Sequence, residues 1–306
     1  MQPLKGKVAV VAGATRGAGR GIACMLGEAG AIVYCSGRSV RGQPSSIKRP
    51  ETIEDTAEMV TAHGGVGIWA QVDHTQPDQV RALLERVRRE QDGRLDILVN
   101  DISGDWSFDQ EVLSGKNPQP FWKQSLERGR QSQQDGVHSH IITSYYAAPL
   151  MVERRQGLII EVNDGNQLEY NNCGVFYSLT KTSAVLLAYF MSEELREHNV
   201  AVVALTPGWL RSENMLEGFG VTEENWRDVI KTEPRFANSE TPFYIGRAVA
   251  ALAADPNVME KTGRALSSGY LAREYGFTDM DGTQPLWYRG EGLFRQGSFV
   301  ISGKGE

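Results

Sequence analysis

Cysteine is nearly missing from this 306-residue chain: Cys24, Cys35 and Cys173 are too few and too scattered for a disulfide framework or a zinc site, so no metal is expected. The first two fall in segments that read as a buried helix and a buried strand, where cysteine behaves as a small apolar residue. Long apolar runs are also lacking. No stretch approaches the length of a bilayer-spanning helix. The opening MQPLKGKVAVVAGATRG is too short for a secretory core and has no cleavage-type sequence, which makes a cytoplasmic protein without a membrane partner the expectation. Positive charge is not in excess: 32 Lys and Arg against 38 Asp and Glu leave a net charge of −6, and the pI is near 5.5. That balance removes the electrostatic footprint of a nucleic-acid binder. Internal repeats, low-complexity tracts and a convincing interdomain linker are absent as well.

What is present is an alternation. With 41% hydrophobic residues the chain can bury a sizeable core. β-rich runs at Lys7–Ala12, Ala31–Cys35, Val66–Ala70, Leu95–Val99, Gly157–Val162 and Val200–Leu205 are separated by helical patterns at Gly19–Gly30, Thr52–His63, Pro77–Glu90, His138–Met151 and Tyr177–His198. Thr241–Ala254 and Arg264–Ser267 offer a last helix and strand. Strands alternating with helices predict a doubly wound parallel sheet of the Rossmann type in a single α/β domain. That domain is expected over 1–282, with a 102–135 insertion of unclear periodicity, a substrate-covering region at 209–240 and a tail at 283–306.

The first strand runs into Gly13-Ala14-Thr15-Arg16-Gly17-Ala18-Gly19, followed by a helix. Glycines allow a tight turn and a close backbone approach to a pyrophosphate, while the helix N-terminus aims its free N–H groups at the anion. The spacing is GxxxGxG rather than GxGxxG, and its place between first strand and first helix points to dinucleotide binding. The second strand ends in Tyr34-Cys35-Ser36-Gly37-Arg38-Ser39, with an arginine and no carboxylate. A carboxylate there would take the ribose hydroxyls of NAD, whereas an arginine pairs with the 2′-phosphate of NADP. Arg16 and Arg38 flanking that phosphate predict NADP(H), the alternative being two solvated surface arginines.

Tyr177 and Lys181 stand four apart on one helix and therefore share a face. With these in place the chain resembles the short-chain dehydrogenase/reductase family over about residues 5–270: the glycine loop, Asp73 after the third strand, Asn100 after the fourth, Tyr-x-x-x-Lys, and Pro207-Gly208 after the sixth occur in the family's order. The segments VYCSGR, REQDGRLDILVN and GYLAREYGFTDMDG liken it to the branch called dehydrogenase/reductase SDR family member one. The resemblance implies that Asp73 meets the adenine amino group, Asn100 lies along the adenosine ribose, and Leu210 and Ser212 approach the nicotinamide carboxamide. Thr15, Ala18, Ser36, His74, Pro207 and Gly208 complete the expected cofactor set. Lys181 would hold the nicotinamide ribose and lower the phenol pKa from ~10, so that Tyr177 passes a proton to a carbonyl or takes one from an alcohol. A homo-oligomer, dimer or tetramer, is implied in the same way.

Three departures stand out. The family's serine, thirteen residues before the tyrosine, is here Asp164; an ionised carboxylate accepts hydrogen bonds and cannot donate one to a substrate carbonyl, so either burial keeps this carboxyl protonated and able to donate, or another donor such as Asn163 or Tyr170 takes its place. Asp164 is nonetheless counted with Tyr177 and Lys181 as a catalytic position. The relay asparagine of the preceding helix aligns with Gly136, with His138 and His140 just beyond, and Asp101 replaces the asparagine after Asn100. Two functions are therefore expected to compete: an NADP(H)-dependent oxidoreductase for a carbonyl or secondary alcohol on a small to medium apolar substrate, and a catalytically impaired NADP(H)-binding sensor or assembly protein. Trp209, Met215, Leu216, Phe219, Trp226 and Phe236 either line the substrate or form ordinary core.

Overall fold

The computed structural model describes residues 2–43, 49–103, 119–165 and 174–286, together with the backbone of a short antiparallel ribbon, Phe294–Arg295 with Ser298–Phe299. Tyr170, Cys173, most of the expected 102–135 insertion before residue 119 and most of the tail lie outside the described residues.

In chain order the elements are β1 (Val8–Ala12), α1 (Gly17–Glu28), β2 (Ile32–Gly37), α2 (Ile53–Ala62), β3 (Val66–Gln71), α3 (Pro77–Glu90) and β4 (Ile97–Asn100). After a short 3₁₀ turn at Phe121–Lys123 follow α4 (Leu126–Gln133), a π turn (Gln134–His138), α5 (Ser139–Arg154), β5 (Gly157–Val162), α6 (Val175–Leu195) and β6 (Val200–Thr206). The chain then forms α7 (Glu213–Gly218), α8 (Pro242–Ala254), β7 (Ala265–Ser267) and α9 (Ser268–Tyr275). The strands pair in parallel in the order β3-β2-β1-β4-β5-β6-β7. The order reverses between β1 and β4, and in such sheets the crevice at the carboxyl ends of the strands at that point is where ligands bind. This is the doubly wound single domain that the alternation of patterns predicts.

Successive strand residues face opposite sides, and both sides are covered, which explains the near-continuous apolar runs. Ala9 and Val11 of β1 point into a layer with Ile22, Leu26, Val60, Ile245, Val249 and Leu252, whereas Val8 and Val10 point into one with Val80, Leu84, Val87, Leu150 and Val185. Helix starts follow local chemistry: the Thr52 hydroxyl accepts from the Asp55 N–H at the head of α2, and Pro77 and Pro242 stand in the first turns of α3 and α8, where no N–H is needed.

Periodicity left out the short helices α7 and α9 and the segment that leads into α5. Residues 126–138, most of them in the expected insertion, form α4 and the π turn and run on into α5. Few of their side chains are apolar, and the segment is held by polar contacts instead: Gln133 Nε2 donates to Thr180 Oγ1 at 2.7 Å and to the Phe176 carbonyl at 3.2 Å, both on α6.

The closest helix contact joins α1 to α8. A Cβ added to Gly21 would stand 2.0 Å from the Pro242 carbonyl oxygen, a backbone atom that cannot step aside. Gly21→Ala is therefore expected to destabilise the fold by about 2–3 kcal/mol, as overpacking does in close-packed interiors. Urea unfolding of the two proteins checks this, and an unchanged midpoint would contradict it.

Candidate active site

β1 ends at Ala12, and the chain passes over Gly13 (φ +90°) and Gly17 (φ +55°), left-handed positions that favour glycine, into α1. The turn is clamped on both sides. Gly13 and Ala14 N–H groups donate to the Ser36 carbonyl of β2 at 2.9 and 3.0 Å, and the Asp101 N–H donates to the Ala12 carbonyl at 2.9 Å. A Cβ on Gly13 would lie 2.4 Å from the Asp101 carbonyl oxygen, and one on Gly19 would lie 2.3 Å from the Gly13 oxygen. Only glycine lets the turn sit this close to the end of β4, and that closeness brings the head of α1 to the switch point. Asp101 was expected only as a departure from the family. Its carboxyl is pressed against Gly19, and burial pushes its pKa up to about 6 although Lys181, the Gly19 amide and His140 pull it down.

Thr15 packs against Gly37 at the end of β2, which puts the neighbouring Arg16 and the exposed Arg38 on the same rim. Arg49 joins them, paired to Glu51 at 2.7 Å. Burial works against the Glu51 anion, but Arg49, helped by the charge of Arg16, holds it below the ordinary glutamate range. Asp73 closes a turn, its carboxylate accepting from the Thr75 N–H and hydroxyl at 3.0 and 2.7 Å. The side chains of Ser36 and His74 turn inward. His74 bonds the Ser36 hydroxyl through Nε2 and the Thr143 hydroxyl through Nδ1, both at 2.9 Å, and burial pushes its pKa down to about 3, so the ring is neutral. Asn100 is likewise buried, its amide donating to Ser144 Oγ at 2.9 Å and Glu161 Oε1 at 2.7 Å. The side chains of Ser36, His74 and Asn100, expected around the cofactor, are thus buried and engaged with interior partners.

At the end of β5 the structure brings the three expected catalytic positions together. The Tyr177 hydroxyl donates to Asp164 Oδ2 at 2.6 Å, and Lys181 Nζ stands 5.9 Å from the Tyr177 ring centroid. Lys181 and the glycine loop meet electrostatically at Asp101. Asn163, weighed as a replacement donor, is buried and turns its amide to the Gly165 carbonyl.

Beside these lies a buried hydrogen-bonded pair that the sequence reading left out. Glu161 and His140 are buried; His140 Nδ1 is 2.6 Å from Glu161 Oε2 and its Nε2 is 2.8 Å from the Ile102 carbonyl oxygen. A carbonyl only accepts, so Nε2 carries a proton and a further proton lies between Nδ1 and Glu161. His140, which the sequence places just beyond the position of the relay asparagine as either a polar helix residue or a relay, is bonded through both nitrogens. Gly136 has no room for the family's asparagine, since a Cβ there would meet Thr180 Cγ2 at 2.4 Å. The available signal was a lone glutamate inside the apolar strand GLIIEV.

After β6, Pro207-Gly208 leads into the covering region. The Gly208 N–H donates to Glu240 Oε2 at 2.8 Å, and the Ser268 hydroxyl donates to the same oxygen at 2.6 Å. Leu210 bridges to Glu240 through the backbone, and Ser212 caps α7, its hydroxyl accepting from the Met215 N–H. Trp226, Val229 and Phe236 form a buried cluster of their own; Trp209, Met215, Leu216 and Phe219 pack on it while staying partly open to solvent. The first group is core, and only the second can line a ligand. Arg211 stacks on Trp226, 4.1 Å from the ring centroid, and pairs with Glu223 at 2.9 Å.

A glycine turn at a helix head, beside a tyrosine and lysine at the switch point of a doubly wound sheet, defines a dinucleotide-dependent oxidoreductase. The comparisons agree. The profile of the short chain dehydrogenases matches residues 7–219. Dehydrogenase/reductase SDR family member 1 of Mus musculus is 37% identical over 282 residues, 92% of this chain and 85% of that protein, and its Homo sapiens counterpart is equally similar. The 7alpha-hydroxysteroid dehydrogenase of Clostridium sardiniense is 25% identical over 83% of this chain and 89% of its own. Among solved structures, a short chain dehydrogenase of Mycobacterium thermoresistibile superposes with a TM-score of 0.74 at 23% identity, covering 93% and 92% of the two chains, which speaks for the fold. The chain belongs to the short-chain dehydrogenase/reductase family and is similar to its member 1 branch, in a family that uses NAD(P) cofactors.

Glu240 gives a prediction. Burial pushes its carboxyl up to about 8, with Asp279 adding to the rise and Ser268, the Gly208 amide and Arg211 opposing it. The folded protein therefore keeps this proton while the unfolded chain loses it near 4.5, so stability is full below that value and drains away as pH rises to about 8. Glu240→Gln retains an acceptor for Gly208 and Ser268 without a titrating proton. Urea midpoints should show it level with the parent at pH 5 and more stable at pH 8, by about 2 kcal/mol or more. Parallel pH profiles for the two proteins would refute this.

Proposed function

We propose that this protein is an NADP(H)-dependent oxidoreductase that interconverts a carbonyl and a secondary alcohol on a small to medium, largely apolar molecule in the cytoplasm. The observation that carries the reading is the meeting of the Tyr177 hydroxyl, Lys181 and the glycine loop around the carboxyl ends of β1, β4 and β5. The cofactor fits what the loop offers. The head of α1 already accepts an anion, the Glu213 carboxylate on the Gly17 N–H, and the rim at the end of β2 carries Arg16 and Arg38 with no carboxylate on β2 itself. Gly13, Thr15, Gly17, Ala18 and Gly19 would hold the pyrophosphate, Arg16 and Arg38 the 2′-phosphate, Asp73 and the backbones of Ser36, His74 and Asn100 the adenosine half, and Lys181, Pro207, Gly208, Leu210 and Ser212 the nicotinamide half. Bound NADPH supplies the hydride.

The residues of the chain manage the proton. Tyr177 turns its hydroxyl from Asp164 to the substrate oxygen and donates, and the Lys181 ammonium favours the phenolate left behind. Asp164 competes for that same proton. This contact favours a second reading, a cofactor-binding protein with impaired turnover. Substrate is proposed to enter against Trp209, Met215, Leu216 and Phe219; an apolar alcohol suits them, and the hydroxysteroid dehydrogenase among the relatives is named for such a substrate. A homo-oligomer agrees with the exposed apolar side chains of Ile141 and Tyr145 on α5 and of Leu179 and Phe190 on α6.

Arg38→Ala is expected to weaken NADPH binding by about 1.5–3 kcal/mol and NADH binding little, because a charge-assisted contact to phosphate is lost. Calorimetry decides, and equal losses for both cofactors would defeat the assignment. With a panel of ketones, diketones and quinones, Tyr177→Phe should abolish NADPH oxidation while binding NADPH within a few-fold of the parent. Asp164→Ser, which frees the phenol and restores a donor, should turn over faster than the parent between pH 5 and 9. A serine variant slower at every pH would give Asp164 a catalytic role of its own.

A further inference from the structure

The carboxylate at the head of α1 comes from far along the chain. Glu213 Oε2 accepts from the Gly17 N–H at 2.8 Å, and its Oε1 lies 3.5 Å from Arg20 Nη1, one turn further along α1. One helical turn on from Glu213, Glu217 is paired with Arg49, which stands on the same rim as Arg16 and also holds Glu51. Both carboxylates belong to α7, the six-residue helix that opens the covering region. We propose that α7 is an acidic latch over the phosphate site: Glu213 occupies the Gly17 N–H that the pyrophosphate needs, and Glu213 and Glu217 pair with Arg20 and Arg49, two guanidiniums beside that site for which a bound phosphate competes, so cofactor and latch compete, and the cofactor must release α7 to bind. The inference rests on the reading of the glycine loop as an NADP(H) site.

The construction of α7 suits release. None of its residues is buried. The Glu213 side chain is 29% exposed and that of Glu217 72%, so either carboxylate reaches water by a rotamer change without being stranded in the interior. The helix is tied to the body by these two ion pairs, by the cap from Ser212, and by Met215 and Leu216 resting on the aromatic cluster. Ser212 marks how near the two parts lie: its Cβ is 3.7 Å from where a side chain on Gly17 would begin. A phosphate oxygen taking the Gly17 N–H cannot share it with a carboxylate of like charge. Each phosphate drawn to Arg20 or Arg49 likewise weakens the hold of Glu213 or Glu217. Binding would therefore loosen the segment bearing Trp209, Met215, Leu216 and Phe219, which links cofactor occupancy to access for the substrate.

The latch lowers apparent cofactor affinity by the fraction of molecules held closed, so removing it must tighten binding. The test is NADPH titration of the full-length protein by fluorescence, comparing the parent with Glu213→Ala, Glu217→Ala and the control Glu224→Ala, which removes a nearby exposed carboxylate that belongs to neither ion pair. Glu213→Ala and Glu217→Ala are each expected to bind NADPH about 3- to 10-fold tighter, with Glu224→Ala unchanged. Glu217 is largely exposed, so its variant decides the matter alone if Glu213→Ala does not fold. Binding that is unchanged or weaker in Glu213→Ala and Glu217→Ala overturns the latch and makes Glu213 a fixed brace of the site. Equal tightening in Glu224→Ala overturns it in favour of a general charge effect. A parent that binds neither NADPH nor NADH overturns the cofactor reading itself, a result distinguishable from the other two.

Discussion

The contact between the turn at Gly13–Gly19 and the end of β4 is the constraint on which the arrangement of the site depends. Gly13 lies against the Asp101 backbone and Gly19 against both the Gly13 oxygen and the Asp101 carboxyl, at separations that no side chain would permit. That approach points the N-terminus of α1 into the crevice where the strand order reverses, and an N-terminus so placed attracts an anion through its free N–H groups. It also holds the half-buried Asp101 between the glycine turn and the Tyr177–Lys181 end of the site, within the electrostatic reach of Lys181 and His140. The two halves of the site are thereby linked through one carboxyl group.

Around this contact the interior carries more polar chemistry than a doubly wound sheet needs for stability. Ser36, His74 and Thr143 form one hydrogen-bonded chain; Ser144, Asn100, Glu161, His140 and the Ile102 carbonyl form another. Buried polar groups persist when they are hydrogen-bonded, and losing one partner strands the other. Together the two chains tie α5 to β2, β4 and β5. Glu240 does the corresponding work for the covering region, gripping Gly208 on one side of the site and Ser268 on the other. The cover thus has a buried root at Glu240 and, at α7, an end held by two ion pairs whose carboxylates are open to water.

Much of this was legible before any coordinates. The strands and most of the helices announce themselves by apolar runs bounded by glycine and proline, and Pro77–Glu90 and Gly157–Val162 coincide with the observed α3 and β5. The glycine turn between β1 and α1 and the shared helix face of Tyr177 and Lys181 were readable because their pattern is local, residing in spacing along one turn or one helix. Residues 126–138 were not, because their helix is held by amide and hydroxyl contacts to α6 rather than by an apolar stripe. His140 and Glu161, twenty-one positions apart, gave no signal beyond a single glutamate in an apolar strand.

Sequence alone determined the fold class, the family likeness, and which residue types stand in the glycine loop and on the helix of Tyr177 and Lys181, since each follows from periodicity or from neighbours a few positions apart. The tertiary structure decided the rest: that Asp164 takes the hydrogen bond of Tyr177, that Ser36, His74 and Asn100 turn inward, that Trp226 and Phe236 are core, and that Glu213 reaches the head of α1 across almost 200 residues. Those facts are contacts between segments far apart in the chain, and a side chain's partner there is set by how the layers pack, which no local spacing encodes.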